Sequence, residues 1–313
     1  MIPSGHTLRE NSVGIKLSEG FVLLREIKYH ILDYPFYIMT LINKILLFLF
    51  KKTLKKNLKY KDSHFGESCY IFGNGSSLKK FDLSKFNDRV SIGCGVLFSH
   101  KDFDKLNIPY YYVSHPLFFY KFWRNPFSKK IELNLTGKFY RDNMRKNPDI
   151  NFFTSLSNYF GIRDNDINYV YHFSEKSINF RKNRMDRVFS SMSGAMDGML
   201  GLAIYMGFRD IILVGCDYTV FPRIGSHFYE YGKRPKQYEN KIFAEKSLKS
   251  AMSISNIKTV VINNKFQGEI IPCISYYDLT GDLPEYKENY AVISSHDLDK
   301  LDNLNMGYKI FKK

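Results

Sequence analysis

The sequence predicts an α/β protein with a mainly parallel sheet, and three observations carry that prediction. Two short apolar runs, Cys69-Tyr70-Ile71-Phe72 and Ile211-Ile212-Leu213-Val214, have the length and unbroken apolarity of fully buried strands. Each stops in small residues, Gly73-Asn74-Gly75-Ser76-Ser77 after the first and Gly215-Cys216-Asp217 after the second. Other strand-like runs end the same way, which would gather small and polar residues on one edge of the sheet. That edge is where open α/β sheets hold phosphate or nucleotide.

Length and composition set the bounds. A chain of 313 residues can bury a full core in one large domain or two small ones. Its formal net charge of +15 and its 23 Tyr and 27 Phe stand out. The basic excess favours anionic partners: a nucleotide-activated substrate, nucleic acid or an acidic membrane surface. Cys69, Cys94, Cys216 and Cys273 are far apart and form no Cys-x-x-Cys pair. Buried reduced thiols are therefore expected, as in a cytoplasmic enzyme, rather than disulfides or a structural zinc.

In chain order, residues 1–19 are polar and give no sign of a secretory signal. Residues 21–61 hold an apolar stretch, Tyr34 to Phe50, that Pro35 would start as a helix, followed by Lys51, Lys52, Lys55, Lys56, Lys59 and Lys61. Asn43 and Lys44 interrupt the run, which is barely long enough to span a bilayer. A helix lying in the membrane interface, with its lysines on anionic lipid, is expected; packing on the main domain or on a second protomer is the alternative.

The turn after Phe72 offers bare amides and hydroxyls, although Gly73-x-Gly75-x-x-Leu78 lacks the third glycine of a dinucleotide fingerprint. A tight turn that merely closes a strand reads equally well. Arg89 to Phe98 predicts a second strand that breaks at Gly93 and Gly95, and Tyr110 to Val113 a third that ends at Ser114-His115-Pro116. Residues 117–150 interleave aromatic and basic side chains, read as a helix with its aromatics towards the core rather than a base-stacking surface. Residues 151–189 show no period and are expected to form a lid or acceptor-binding loops.

Ser190 to Ser193 open a long helical pattern that ends at Gly207, so its amino end would attract an anion. The strand Asp210–Val214 follows, and Asp217 at its end would cap the turn, bond a sugar hydroxyl or orient a base. His227, in a loop with Tyr229, Tyr231 and Lys233 just past that strand, is the candidate general base. A helix over about 238–254 leads to a strand at Lys258–Asn263, and the remaining tail reads as peripheral.

Four stretches in this order resemble a known group. Phe72-Gly73-Asn74-Gly75-Ser76-Ser77-Leu78 is similar to the G-N-G-P-S-L turn of bacterial lipooligosaccharide sialyltransferases, glycosyltransferase family 42. The same turn occurs in the wider superfamily called 6-hydroxymethylpterin diphosphokinase-like, which includes flagellin nonulosonate transferases. Tyr112 to Phe119 resembles the segment F-Y-N-P-S-L-F-F. Ser193-Gly194 followed by Leu202 to Tyr218 resembles S-G…A-x-x-x-G-(Y/F)-x-x-I-x-L-x-G-x-D-(F/Y), and Ser226-His227-Phe228 an N-H-F loop.

The resemblance implies a Rossmann-like α/β/α sandwich, a GT-A-like variant, over residues 62–280. It would have 117–189 as a lid or acceptor insertion, a membrane-associating or dimerising segment at 1–61, and a peripheral tail at 281–313. It implies transfer of a nonulosonic acid from a CMP-activated donor to a glycan hydroxyl, with inversion and without cofactor or metal. Gly73, Asn74, Gly75, Ser77, Gly95, Ser114, Ser193, Gly194 and Asp217 would hold the donor. His227 would be the base, and Tyr218 and Tyr229 would donate to the leaving phosphate. Gly95 and Ser114 stand where the family has asparagines, Ser190 where it has an arginine, and Thr219 where it has the phosphate-binding tyrosine.

The implied partners are a nucleotide-sugar donor, a lipid-linked glycan acceptor and an anionic membrane on its cytoplasmic face, with no nucleic acid. One rival is pyrophosphoryl transfer from ATP, with Asp197 and Asp217 as magnesium ligands. The other is a non-enzymatic nucleic-acid or membrane-binding protein.

Overall fold

The computed structural model describes residues 44–115, 118–120, 135–162, 167–172, 179–189, 194–223, 226–230 and 241–304. Eight strands form one wholly parallel sheet: β1 (Ser68–Phe72), β2 (Val90–Cys94), β3 (Tyr110–Val113), β4 (Asn151–Ser155), β5 (Ile167–Val170), β6 (Asp210–Val214), β8 (Asn256–Val261) and β10 (Cys273–Ser275). Short strands β7 (Val220–Phe221) and β9 (Gln267–Gly268) pair antiparallel beside it. The strand order is β10-β8-β6-β1-β2-β3-β4-β5, so β1 and β6 are central neighbours.

The two runs that first suggest strands are buried on both faces, because successive side chains enter different cores. Tyr70, Phe72, Ile212 and Val214 pack on one side, and Cys69, Ile71, Ile211 and Leu213 on the other. Burying a side chain such as Phe72 contributes about 1.5–3 kcal/mol. The first core is completed by Leu78, Phe81 and Phe86 from the β1–β2 connection and by Phe139 and Tyr140 of the helix Leu135–Lys146. The second is completed by Met196, Met199 and Leu200 of the helix Ala195–Tyr205 and by Leu248 and Ala251 of the helix Lys241–Met252. Connections from β1 outward thus lie on one face and those around β6 on the other, which is the doubly wound α/β/α arrangement expected. The winding reverses between β1 and β6, and open α/β sheets place their ligand sites at the strands' carboxyl ends at such a point.

Several expectations need correction. Residues 151–189 are not simply a lid: β4 and β5 arise there and extend the sheet to its far edge. The tail after residue 280 is not peripheral, since Val292, Ile293 and Leu301 are buried in the first core. The lysine-rich stretch divides at Lys51. Before that point only residues 44–51 are described, helical over 44–49, and the rest of the apolar stretch lies outside the described residues. After it, Leu54, Asn57 and Tyr60 are buried at three-residue spacing while Lys52, Lys55, Lys56, Lys59 and Lys61 stay exposed. The Asn57 amide donates to the carbonyls of Tyr169 and Met185, tying this stretch to the main unit. No helix among the described residues is long and apolar enough to cross a membrane.

Candidate active site

The carboxyl edge at the switch point is built from the turns after β1, β2 and β6 and from the loop carrying His227. The turn after β1 is zipped to the turn after β6: Gly73 N–H donates to Val214 O (2.8 Å) and Gly75 N–H to Gly215 O (2.7 Å). Only glycine fits at both places. A Cβ on Gly73 would lie 2.3 Å from Gly215 O, and one on Gly75 would lie 2.4 Å from the Asp217 carboxyl carbon. Gly215 itself takes φ +67°, which side-chain-bearing residues rarely adopt.

The side chains of Asn74 and Asp217 each hold a turn in place. Asn74 Nδ2 donates to Cys94 O (3.1 Å), and its Oδ1 accepts from Val96 N–H (3.1 Å), locking the β1 turn onto the β2 turn. Gly95, at φ +63°, leaves room for that amide, since a Cβ there would meet Asn74 Nδ2 at 2.5 Å. Asp217 is buried; its Oδ1 accepts from Ser77 Oγ (2.5 Å) and its Oδ2 from Ser77 N–H (2.8 Å). Burial pushes its carboxyl above the ordinary carboxylate range, opposed by the Ser77 and Ser76 hydrogen bonds and by His227. Asp217 thus caps the turn after β1 through Ser77, across the two central strands.

The His227 loop lies along the same turn. Gly75 and His227 form an antiparallel bridge, Phe228 N–H donates to Asn74 O (3.0 Å), and Ser76 N–H donates to Ser226 O (3.0 Å). The imidazole stacks on Tyr229 with ring centroids 5.1 Å apart, and its Nδ1 lies 2.5 Å from Oε1 of Glu230. Tyr229 is itself buried, so it supports His227 rather than presenting a hydroxyl on an open surface. Glu230 was missed by sequence reasoning. A glutamate three residues after a loop histidine looks solvated, and only the fold reveals that its side chain is 0% exposed. Lys79 is also buried and donates from Nζ to the Glu230 carbonyl (2.5 Å).

The remaining candidates surround this centre. Tyr218 is 40% exposed, yet its hydroxyl end is desolvated near Cys216 and Asp197, which raises it well above the ordinary phenol range and keeps it protonated. Asp197 sits in the first turn of the helix Ala195–Tyr205, whose amino cap is Gly194 in an extended conformation. Ser114 ends β3, one strand beyond Gly95. Ser193, with Ser190 to Met192, and the stretch from Tyr231 to Lys233 lie outside the described residues.

The C-terminal segment braces the site: Lys287 N–H donates to Lys79 O, Asn289 Nδ2 to Tyr229 O, and Ile293 bridges His100. Among the described residues, no group of three or more His, Cys, Asp or Glu is placed to hold a metal ion. A concavity of about 450 Å³ at the opposite, amino edge is lined by Glu67, Asp88 and Asp210 with Arg89. Its mostly acidic wall does not suit an anionic substrate.

No protein-family model matches the chain, and no curated protein sequence does. Among solved structures it is similar to the sialyltransferase CST-II in complex with a trisaccharide acceptor and CMP, at 16% identity and TM-score 0.37, over 76% of this chain and 99% of that one. It is similar to CstII from Campylobacter jejuni in complex with the substrate analogue CMP-3FNeuAc, at 13% identity and TM-score 0.39, over 76% and 99% of the two chains. It is also similar to the monofunctional alpha-2,3-sialyltransferase Cst-I from Campylobacter jejuni, at 15% identity and TM-score 0.39, over 77% and 94%.

Proposed function

We propose that this chain is a glycosyltransferase that moves a nonulosonic acid from a CMP-activated donor to a hydroxyl of a surface glycan. The observation that carries the reading is the His227 imidazole, paired with a buried carboxylate and bridged through its own backbone to Gly75 at the sheet's switch point. A base thus stands beside the turn that resembles the nucleotide-holding turn of the sialyltransferases. The acceptor oxygen attacks the anomeric carbon, its proton passes to His227, and the bond from that carbon to the phosphate oxygen breaks with its electrons leaving on CMP. Neutral donors can stabilise that phosphate without a metal, and the protonated Tyr218 hydroxyl is the candidate among the described side chains. The lysines exposed on 52–61 suit an anionic membrane, each near the surface adding about 1 kcal/mol of attraction. They fit a peripheral enzyme on the cytoplasmic face, working on a lipid-linked acceptor.

A thermal-shift panel of CMP, CMP-sialic acid, UDP- and GDP-sugars and ATP tests the donor class. Stabilisation by cytidine nucleotides alone is expected, and stabilisation by ATP with magnesium alone would replace the reading with pyrophosphoryl transfer. His227→Ala should lower transfer by about 10²–10⁴-fold while CMP still binds. Equal transfer by that variant would remove the base assignment.

A further inference from the structure

We infer that Glu230 is the positioning residue that selects the working tautomer of His227. An inter-atomic distance of 2.5 Å between His227 Nδ1 and Glu230 Oε1 requires one proton between them, because two lone pairs cannot face each other so closely. The question is which atom owns it. A proton on Glu230 would leave a neutral acid and an Nε2–H imidazole, which cannot accept a second proton at Nε2. A proton on Nδ1 leaves a carboxylate, and Nε2 then carries the lone pair.

The surroundings favour the second arrangement. The Lys79 ammonium is buried with the pair and lies 2.5 Å from the Glu230 backbone carbonyl. Burial lowers the Lys79 pKa, and the negative charges of Glu288 and Glu230 oppose that shift. The ring cannot rotate freely to choose another partner. Tyr229 stacks on one face at an interplanar angle of 22°, and the backbone on either side is tied to Asn74 and Ser76. Glu230, whose side chain is 0% exposed, is held from the other direction by Lys79, while His227 keeps 30% of its side chain open. The pair therefore has one wholly buried member and one that is 30% exposed.

On the proposed transferase reading, on which this role rests, Glu230 does two things without touching substrate. It fixes Nε2 as the nitrogen that takes the acceptor proton. Once that proton has arrived, its negative charge balances the imidazolium, as a buried carboxylate does for other histidine bases.

The test reads the imidazole directly. Long-range ¹H–¹⁵N correlation spectra of the labelled full chain at pH 8, with the His227 signals assigned by their loss in His227→Gln, should show Nδ1 protonated and Nε2 unprotonated. An Nε2–H tautomer in the wild-type chain would overturn the inference, whatever the enzyme proves to transfer. In Glu230→Gln the population should move towards Nε2–H. Turnover with a CMP-sugar donor should fall by about 100-fold or more, while CMP affinity stays within about threefold. Glu230→Asp, which keeps the charge, should restore part of the turnover, and unchanged turnover in Glu230→Gln would also overturn it. Should Glu230→Gln fail to fold, the wild-type spectrum and Glu230→Asp decide. Should the wild-type chain transfer nothing from CMP-sugars, the proposed function fails while the tautomer result stands by itself.

Discussion

Acid should destabilise this protein through His100, a residue outside the His227–Glu230 pair. Its side chain is 0% exposed, its ring lies 5.4 Å from that of Phe228, and its backbone bridges Ile293. Asp102 N–H donates to Nδ1 (3.1 Å), so the neutral ring carries its proton on Nε2, which has no hydrogen-bond partner among the described residues. Burial lowers its pKa from 6.5 to about 4, opposed by Asp102 and assisted by Lys287 and Lys105. A histidine depressed in the folded state binds protons better when unfolded. Its contribution is therefore intact above pH 6.5 and is lost as pH falls towards 4. The gap is worth about 3 kcal/mol in full and about 2 kcal/mol by pH 5.

Urea midpoints at pH 8 and pH 5 measure it, compared between wild type and His100→Asn, whose side-chain oxygen can take over the Asp102 hydrogen bond. Asp102, Lys105, Lys287 and every other titrating group are common to both chains and cancel in the double difference. About 2 kcal/mol of the wild-type loss should vanish in the variant. An identical loss in both chains would refute the reasoning.

Three further outcomes are expected. Ser77→Ala should destabilise by about 1.5–3 kcal/mol, because it takes a charged hydrogen bond from buried Asp217, and urea denaturation reads this directly. Tyr218→Phe should leave the melting temperature within about 2 °C but lower kcat by tenfold or more, since the residue is 40% exposed and its hydroxyl is assigned to the transition state. Unchanged kcat would return that hydroxyl to a purely structural role. A chain lacking residues 1–51 should float less with anionic liposomes than the full chain, and equal flotation would leave the membrane contact to the exposed lysines of 52–61 alone.

The centre of the fold was legible because β1 and β6 are apolar at every position that the two cores need. The far strands were not. In β4, Thr154 is buried only because its hydroxyl donates to Val113 O, and in β5, Asn168 only because its amide donates to Phe152 O. Such polar residues break the apolar run that announces a strand, and their partners are invisible to local pattern. The site divides in the same way. The glycines and His227 could be read because their types carry chemistry. Asp217 could be read as capping a turn, but not which turn, since its partner Ser77 lies 140 residues upstream. Glu230 could not be read at all, because its meaning comes from Lys79, 151 residues before it.

The brace from Lys287 to Ile293 has a consequence for biosynthesis. Lys79, Tyr229 and His100 are all fastened by residues 287–293, which follow every strand of the sheet, so a nascent polypeptide that has not yet released them holds an unfinished site. The carboxyl edge would then be complete only once that segment has emerged and packed back onto the sheet.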